Sequence, residues 1–297
     1  MIPNASISIV IRTYNEEKYL ADLLRQIGNQ DTQGIKHETI VVDSGSKDRT
    51  LQIAHEFNCK VVHIQKDQFS FGRSLNVGCS EASGNILVFI SGHCIPLNRE
   101  WLQSLVAPLG NDDIAYTYGG QIGNENSKFS ECQIFSKYFP AQSKLPQEGF
   151  FCSNANAAIL RDVWKQYLFD EDLTGLEDMH LAKRLVGQRM KIGYVSEACV
   201  YHLHNETWFQ IKRRFEREAI ALQYIMPEIH VSFVDFIRYA SSAIALDIRA
   251  VASNRMLLTR GKEIFLCRLM QFWGVYCGNH FHRKLSKKRK EAYFYPR

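Results

Sequence analysis

The first ninety residues alternate short Ile- and Val-rich runs with amphipathic segments, and this alternation restricts the fold more than any other feature of the chain. Residues Ile7 to Ile11, Glu38 to Val42, Lys60 to Ile64 and Ile86 to Ile90 read as strands. Between them, Glu16 to Ile27 places Tyr19, Leu20, Leu23, Leu24 and Ile27 on one helical face, and Lys47 to Phe57 does the same with Leu51, Ile53, Ala54 and Phe57. A strand followed each time by a helix predicts crossover units, hence an α/β fold around a mainly parallel sheet flanked by helices.

The chain is long enough to bury a core: 297 residues, 45% hydrophobic and 12% aromatic, as one large domain or two small ones. Disorder as the dominant state and collagen-like or Pro-rich character are excluded. No apolar run reaches the length of a membrane span, and residues 1 to 8 lack the layout of a signal peptide, so a cytoplasmic protein is expected. The eight Cys are scattered without metal-finger spacing, which predicts reduced thiols. The net charge of +5 is uneven: ten Lys/Arg against Glu263 and Glu291 fall between residues 260 and 297. Such a basic end suits an anionic surface, or is simply solvated.

In open parallel sheets the ligand crevice lies beyond the carboxyl ends of the strands. Three polar loops occupy those places here: Arg12 to Glu17, Asp43 to Asp48, and Ser91 to Pro96. Asp43 can accept hydrogen bonds from a nucleobase or ribose, whereas Ser46 and Asp48 are equally explained as helix caps. Residues 115 to 147 read as a loop and helix over the site. From Trp208 the pattern is helical, through Phe209 to Ile225, Val231 to Ala252 and Glu263 to Tyr276, so we expect a body over 1–205 and a helical extension over 206–297.

The segment Ser8 to Glu17, followed by Val41 to Asp48, resembles the start of the inverting family 2 glycosyltransferases of the GT-A fold, a Rossmann-like architecture. The resemblance continues through Phe69 to Gly78, Phe89 to Trp101 and Gly175 to Asp178, and is closest to the branch that builds bacterial surface polysaccharides, rhamnosyltransferases included. It implies a nucleotide-sugar donor, with Thr13, Tyr14 and Glu16 lining the nucleotide pocket, Asp43 holding the base, Arg73 near the diphosphate and Ser91 beside the donor. Independently, a guanidinium next to Gly72 can approach phosphate oxygens bidentately. Asp178 matches the family's base, which removes the acceptor proton, with Glu177 orienting it. Carboxylates at a helix start are also explained by the helix dipole alone. Asn154 and Asn156 match the acceptor-side strand, and turn-forming Asn is the competing explanation.

The departure lies after the fourth strand, where the family's Asp-x-Asp element reads Ser91-Gly92-His93. His93 then falls on the metal position and His202 on a late metal-reaching His. Imidazole suits manganese or zinc better than magnesium. The alternative is a metal-free site in which Arg73 and His93 donate hydrogen bonds to a less charged donor. The basic, aromatic-flanked segment Trp208 to Glu218 either meets anionic ligands or forms surface pairs such as Arg214 with Glu218.

The helix around Phe265 to Tyr276 with its basic end suits the inner face of a cytoplasmic membrane and a lipid-linked glycan acceptor; packing on the body or in a homo-oligomer is the other expectation. A non-catalytic nucleotide-sugar or polysaccharide binder with a degenerate metal site is the competing function. A nucleic-acid partner is not expected, because no recognition motif is present.

Overall fold

A computed structural model describes residues 5–111, 113–252 and 257–280. The strands are β1 (Ser6–Thr13), β2 (Lys36–Asp43), β3 (Lys60–His63), β4 (Ile86–Ser91), β5 (Cys94–Pro96), β6 (Ile114–Ile122), β7 (Asn156–Leu160) and β8 (Lys191–His202). The helices are α1 (Leu20–Gly28), α2 (Thr50–Glu56), α3 (Phe71–Ser80), α4 (Trp101–Val106), α5 (Phe129–Tyr138), α6 (Arg161–Gln166), α7 (Glu177–Gly187), α8 (Trp208–Ile225), α9 (Phe233–Ala252) and α10 (Leu257–His280). They divide into two compact units, and the division is not the single cut after residue 205 that the sequence suggests. One unit spans 1–122, 139–172 and 177–203; the other takes 123–138, 173–176 and 204–297.

The first unit holds one eight-stranded sheet in the order β3-β2-β1-β4-β7-β6-β8-β5. Strands β3, β2, β1 and β4 run parallel, as do β6 and β8, while β7 runs against both β4 and β6, and β5 against β8. β1, β4 and the second half of β2 are legible because both of their faces are covered, whereas the edge strand β3 is only partly buried. Ile7, Ile9, Ile11, Val41, Ile86, Val88 and Ile90 pack with Leu20, Leu23, Trp101 and Leu105 on one side. The alternate residues Val10, Ile40, Val42, Leu87 and Phe89 pack with Leu75, Leu181 and Leu185 on the other. A strand buried on both faces has no polar alternation and reads as a continuous apolar run.

The reading of 115 to 147 as loop and helix is corrected: Ile114–Ile122 is a buried strand, and only Phe129–Tyr138 is helical. Its Gly119-Gly120 pair, a turn signal in sequence, sits instead at a register shift between β6 and β8. There the Asn156 amide donates to Gly120 O (3.0 Å) and Ala198 O (2.7 Å), carbonyls at the irregularity, and its Oδ1 accepts from Trp101 Nε1 (2.9 Å). A Cβ on Gly119 would lie 2.0 Å from Ala198 O and 2.4 Å from Asn156 Nδ2. Gly119→Ala is therefore expected to destabilise the protein by about 2–3 kcal/mol, as overpacking against backbone does. A denaturation midpoint equal to wild type would disprove this account of the bulge.

The second unit is helical. A capping box between Thr207 and Gln210 starts α8, satisfying backbone donors that the first turn leaves open. α10 lies close against it: a Cβ on Gly274 would be 2.3 Å from Lys212 O, and one on Gly278 2.3 Å from Glu216 O. The two glycines, four residues apart, share one helix face and let the backbones approach. α10 is longer than the expected 263–276; it buries Ile264, Cys267, Gly274 and Asn279 and leaves Phe265 and Trp273 exposed. Among the described residues no helix is long and apolar enough to cross a membrane. The described cysteines are all free. The basic end, from Arg283 to Arg297, lies outside the described residues.

Candidate active site

The register brings the polar loops to one edge of the sheet. Thr13 pairs with Asp43 and Arg12 with Ser91, so the carboxyl ends of β1, β2 and β4 are level. Because β7 is antiparallel to β4, the residues preceding it reach the same edge, where Ser91 N donates to Ala155 O (3.2 Å).

The first two loops are tied to each other. Asn15, at φ 57, donates its N–H to Ser46 Oγ (2.9 Å) and accepts from Lys47 N at Oδ1 (2.8 Å). Glu16 N donates to Thr50 Oγ1 (2.7 Å) and Glu17 N to Asp48 Oδ2 (3.0 Å). Asp43 is fully buried, and its carboxylate accepts from Gly45 N (2.9 Å), Ser46 N (3.0 Å), Thr13 Oγ1 (3.2 Å) and Ser46 Oγ. Four donors occupy the acceptor positions a carboxylate has. The expectation that Asp43 holds a nucleobase thus meets a group already spent on its own loop, together with Thr13. Tyr14 stays partly exposed, with Lys66 Nζ 5.6 Å from its ring centre.

Ser70 caps α3, accepting from Arg73 N (3.1 Å), and places the partly exposed Arg73 in the first helical turn. Gly72 is there for space: a Cβ would meet Asp170 O at 2.1 Å.

Asp178 and Glu177 open α7, and Leu176 before them adopts φ 56, a left-handed conformation that non-glycine residues rarely take. The Asp178 carboxylate accepts from Asn154 N and from its own turn's Met179 N, each at 2.8 Å. Burial, and then the neighbouring Glu177 charge, push its pKa up to about 7 against these two N–H groups and the Arg12 charge. Glu177 is buried and paired with Arg12 (Nη1 to Oε1 2.9 Å). Arg12 also donates to Phe71 O (3.2 Å) and lies over the Phe71 ring at 5.1 Å. The two adjacent carboxylates therefore differ: one is neutralised by a guanidinium, the other poised to gain or lose a proton near neutrality. Asn154 is buried and accepts at Oδ1 from Tyr116 OH. Asn156, by contrast, spends both amide protons and its oxygen inside the sheet.

His93 and His202 come together although they are far apart in sequence, since Cys94 at the start of β5 pairs with His202 at the end of β8. Their rings stack with centroids 5.1 Å apart. His93 Nδ1 meets Glu16 Oε1 at 2.8 Å and His202 Nδ1 meets Gln121 Oε1 at 2.7 Å. An ionised carboxylate and an amide oxygen can only accept, so both rings carry their neutral-state proton on Nδ1 and the lone pair on Nε2. A carboxylate or carbonyl behind the outer nitrogen is the usual support of a metal-ligating histidine. Glu16 packs close over Gly92, where a Cβ would come within 2.9 Å of its Cγ.

Arg12, Gln121 and Tyr116 are site residues that the sequence did not single out. The one visible signal was Arg12, a charge at the end of an apolar strand. In the helical unit, Arg214 is engaged by Glu206 (2.8 Å) and Glu131 (3.3 Å), and Lys212 by Glu216 (2.8 Å). The Arg214 charge overcomes burial and holds Glu206 down at about 2.

Residues 8–168 match the family described as Glycosyl transferase family 2. The chain is 27% identical over 215 residues to the O-antigen chain rhamnosyltransferase RfbN of Salmonella typhimurium, covering 68% of this chain and 67% of that protein. It is 33% identical over 231 residues to the poly(ribitol-phosphate) beta-N-acetylglucosaminyltransferase TarS of Staphylococcus aureus, which is 74% of this chain but only 38% of TarS. Among solved structures, the mannosyltransferase PcManGT of Pyrobaculum calidifontis, in complex with GDP-Man and Mn2+, superimposes with a TM-score of 0.61 at 15% identity, covering 91% of this chain and 87% of that one. That likeness carries the fold, which is GT-A. With more than half of its length matched, the chain belongs to glycosyl transferase family 2.

Proposed function

We propose that the protein transfers a sugar from a nucleotide-sugar donor to a hydroxyl of a glycan or lipid-linked glycan, with inversion at the anomeric carbon, at the cytoplasmic side of surface-polysaccharide synthesis. The observation that carries this reading is the placement of Asp178, whose carboxylate is fixed by two backbone N–H groups at the sheet edge next to Glu177, where burial and the Glu177 charge push its pKa up to about 7. A general base is most effective when its pKa lies near the working pH. In the step proposed, the acceptor O–H proton passes to Asp178 as the oxygen bonds to C1. The bond from C1 to the phosphate oxygen breaks on the opposite face, and the nucleotide leaves with the electron pair. The names of RfbN and TarS support a surface-polymer acceptor.

Tyr14, Glu16, Arg73 and Ser91 form the donor side, with Thr13 and Asp43 keeping the shape of the loops. Asn154 contacts the acceptor beside Asp178. The donor sets at His93 and His202 fit a divalent cation, with manganese preferred over magnesium because both ligands are imidazoles. When bound, such a cation supplies positive charge to the donor phosphates.

Thermal shift with UDP, dTDP, GDP and CMP, each with manganese, magnesium or EDTA, tests the donor site. One nucleotide is expected to stabilise the fold, by about 2.7 kcal/mol at a hundredfold excess over its Kd; no shift with any of them overturns the reading. Product configuration by NMR then tests inversion, and a retained anomer overturns it. His93→Ala is expected to abolish the additional stabilisation that manganese gives, and an unchanged manganese increment removes His93 from the ligand set.

A further inference from the structure

We infer that Tyr116 is a positioning residue for the transfer step: through the Asn154 side chain, its hydroxyl holds the backbone N–H that anchors Asp178. The inference rests on the reading of Asp178 as the base and names what keeps that base in place. Tyr116 lies in β6, is fully buried, and donates from its hydroxyl to Asn154 Oδ1. Asn154 lies two residues before β7, is 2% exposed, and donates its own N–H to Asp178 Oδ2 at 2.8 Å. One residue thus receives the Tyr116 hydroxyl on its side chain and gives its backbone N–H to the carboxylate.

An Asn side chain offers two N–H donors and a carbonyl oxygen. Here Nδ2 is buried and has no hydrogen-bond partner among the described residues, so the bond from Tyr116 is what fixes the side chain. A buried amide left half-satisfied costs free energy and is uncommon in a core built for packing alone. What Asn provides at this place is an oxygen for Tyr116. The peptide unit that carries the Asn154 N–H is also held at its carbonyl end, where Asn156 N donates to Ser153 O at 3.1 Å. Tyr116 therefore refines the position of that N–H, and its loss should have a moderate effect.

The groups that bear on Asp178 come from every side. Glu177 adjoins it on α7, Arg12 acts from β1, and Tyr116 and Cys152 act from β6 and from the segment before β7. Burial pushes the Tyr116 hydroxyl and the Cys152 thiol well above their ordinary values, so both stay neutral and contribute hydrogen bonds rather than charge. The N–H groups of Asn154 and Met179 favour the ionised form of Asp178 and oppose the rise that burial and Glu177 cause. Loosening the Asn154 N–H should therefore raise the Asp178 pKa further.

Tyr116→Phe deletes the hydroxyl alone. Turnover is followed across pH as release of the nucleotide that stabilises the wild type in thermal shift. The variant is expected to lose about tenfold in plateau turnover, as a small misplacement of a catalytic group does. Its rising limb should lie at higher pH than that of the wild type, and the thermal shift given by the nucleotide should be unchanged. Asn154→Ala should move the limb the same way, and the double variant should be no slower than Asn154→Ala, because both changes cut one link. The position of the limb does not depend on the fraction of enzyme that is folded, so a destabilised variant still reports. A limb that stays in place or moves to lower pH in Tyr116→Phe overturns the inference. So does a double variant whose losses multiply, since Tyr116 would then act by packing alone. Asp178→Asn separates this from failure of the base reading: turnover that survives there removes the base and this inference with it. Turnover lost there, with an unmoved limb in Tyr116→Phe, removes the role of Tyr116 alone.

Discussion

Asp178→Asn is expected to lower turnover by about 10²–10⁴, the usual contribution of a positioned general base, while leaving the thermal shift caused by the donor nucleotide intact. The amide keeps the shape of the carboxylate and can still accept from Asn154 N or Met179 N, so the edge of the sheet should hold its form. What it loses is the capacity to take a proton. Because the base works ionised, wild-type activity should rise as pH passes through about 7 and then level off. Glu177→Gln leaves the burial that raises Asp178 most but removes the neighbouring charge that adds to it, while keeping an oxygen for Arg12, so the rising limb should move to lower pH. The same shift has a stability signature. A carboxyl raised in the fold holds its proton more tightly there than in the unfolded chain, so it costs stability as pH climbs from about 4 to about 7. Asp178→Asn removes that cost, and the variant's stability relative to wild type should increase across this window and stay level outside it. A donor shift that disappears in the variant, or turnover that survives, would assign Asp178 to binding or to architecture.

How much of this was legible depends on whether a residue's role is local. β1, β4 and the second half of β2 were readable because burial on both faces writes itself as an unbroken Ile/Val run, and the partly buried β3 shows only its Val61-Val62 pair. β6 was not: its two glycines serve a register shift whose partners, Ala198 and Asn156, lie far away in sequence. β7 and β8 escaped for a related reason: β7 is five residues long with an Ala pair at its centre, and the apolar run of the twelve-residue β8 is interrupted by Gly193 and by Ser196-Glu197. The resemblance gave the carboxylates at the start of α7 and the histidine in place of an acidic ligand. It could not give the partners that tune them. Arg12 meets Glu177 across the whole first unit, and Glu16 meets His93 from a different loop. Nor could the resemblance show that the Asp43 carboxylate accepts from backbone donors of its own turn.

Arg268→Met is expected to cost about 3–5 kcal/mol, the usual penalty for stranding one member of a buried ion pair. Arg268 and Asp247 are 7% and 3% exposed and meet bidentately, Nε to Oδ2 at 2.7 Å and Nη2 to Oδ1 at 2.9 Å. Ser130 Oγ donates to the same Oδ2 at 2.6 Å, and Arg268 Nη1 donates to Gln271 Oε1 at 2.8 Å. Removing the guanidinium leaves the carboxylate with one hydroxyl in a place water does not reach. Asp247→Leu alone strands the guanidinium in the same way, with Gln271 as its remaining partner. Together, Asp247→Leu and Arg268→Met remove both charges and put apolar atoms where two ions had to be desolvated. The double variant should therefore recover most of the loss, and its cost should be well below the sum of the two single costs. Chemical denaturation of the four proteins measures this directly. If the single costs simply add, the pair is not coupled, and the burial of these charges between α9 and α10 needs an explanation other than their mutual neutralisation.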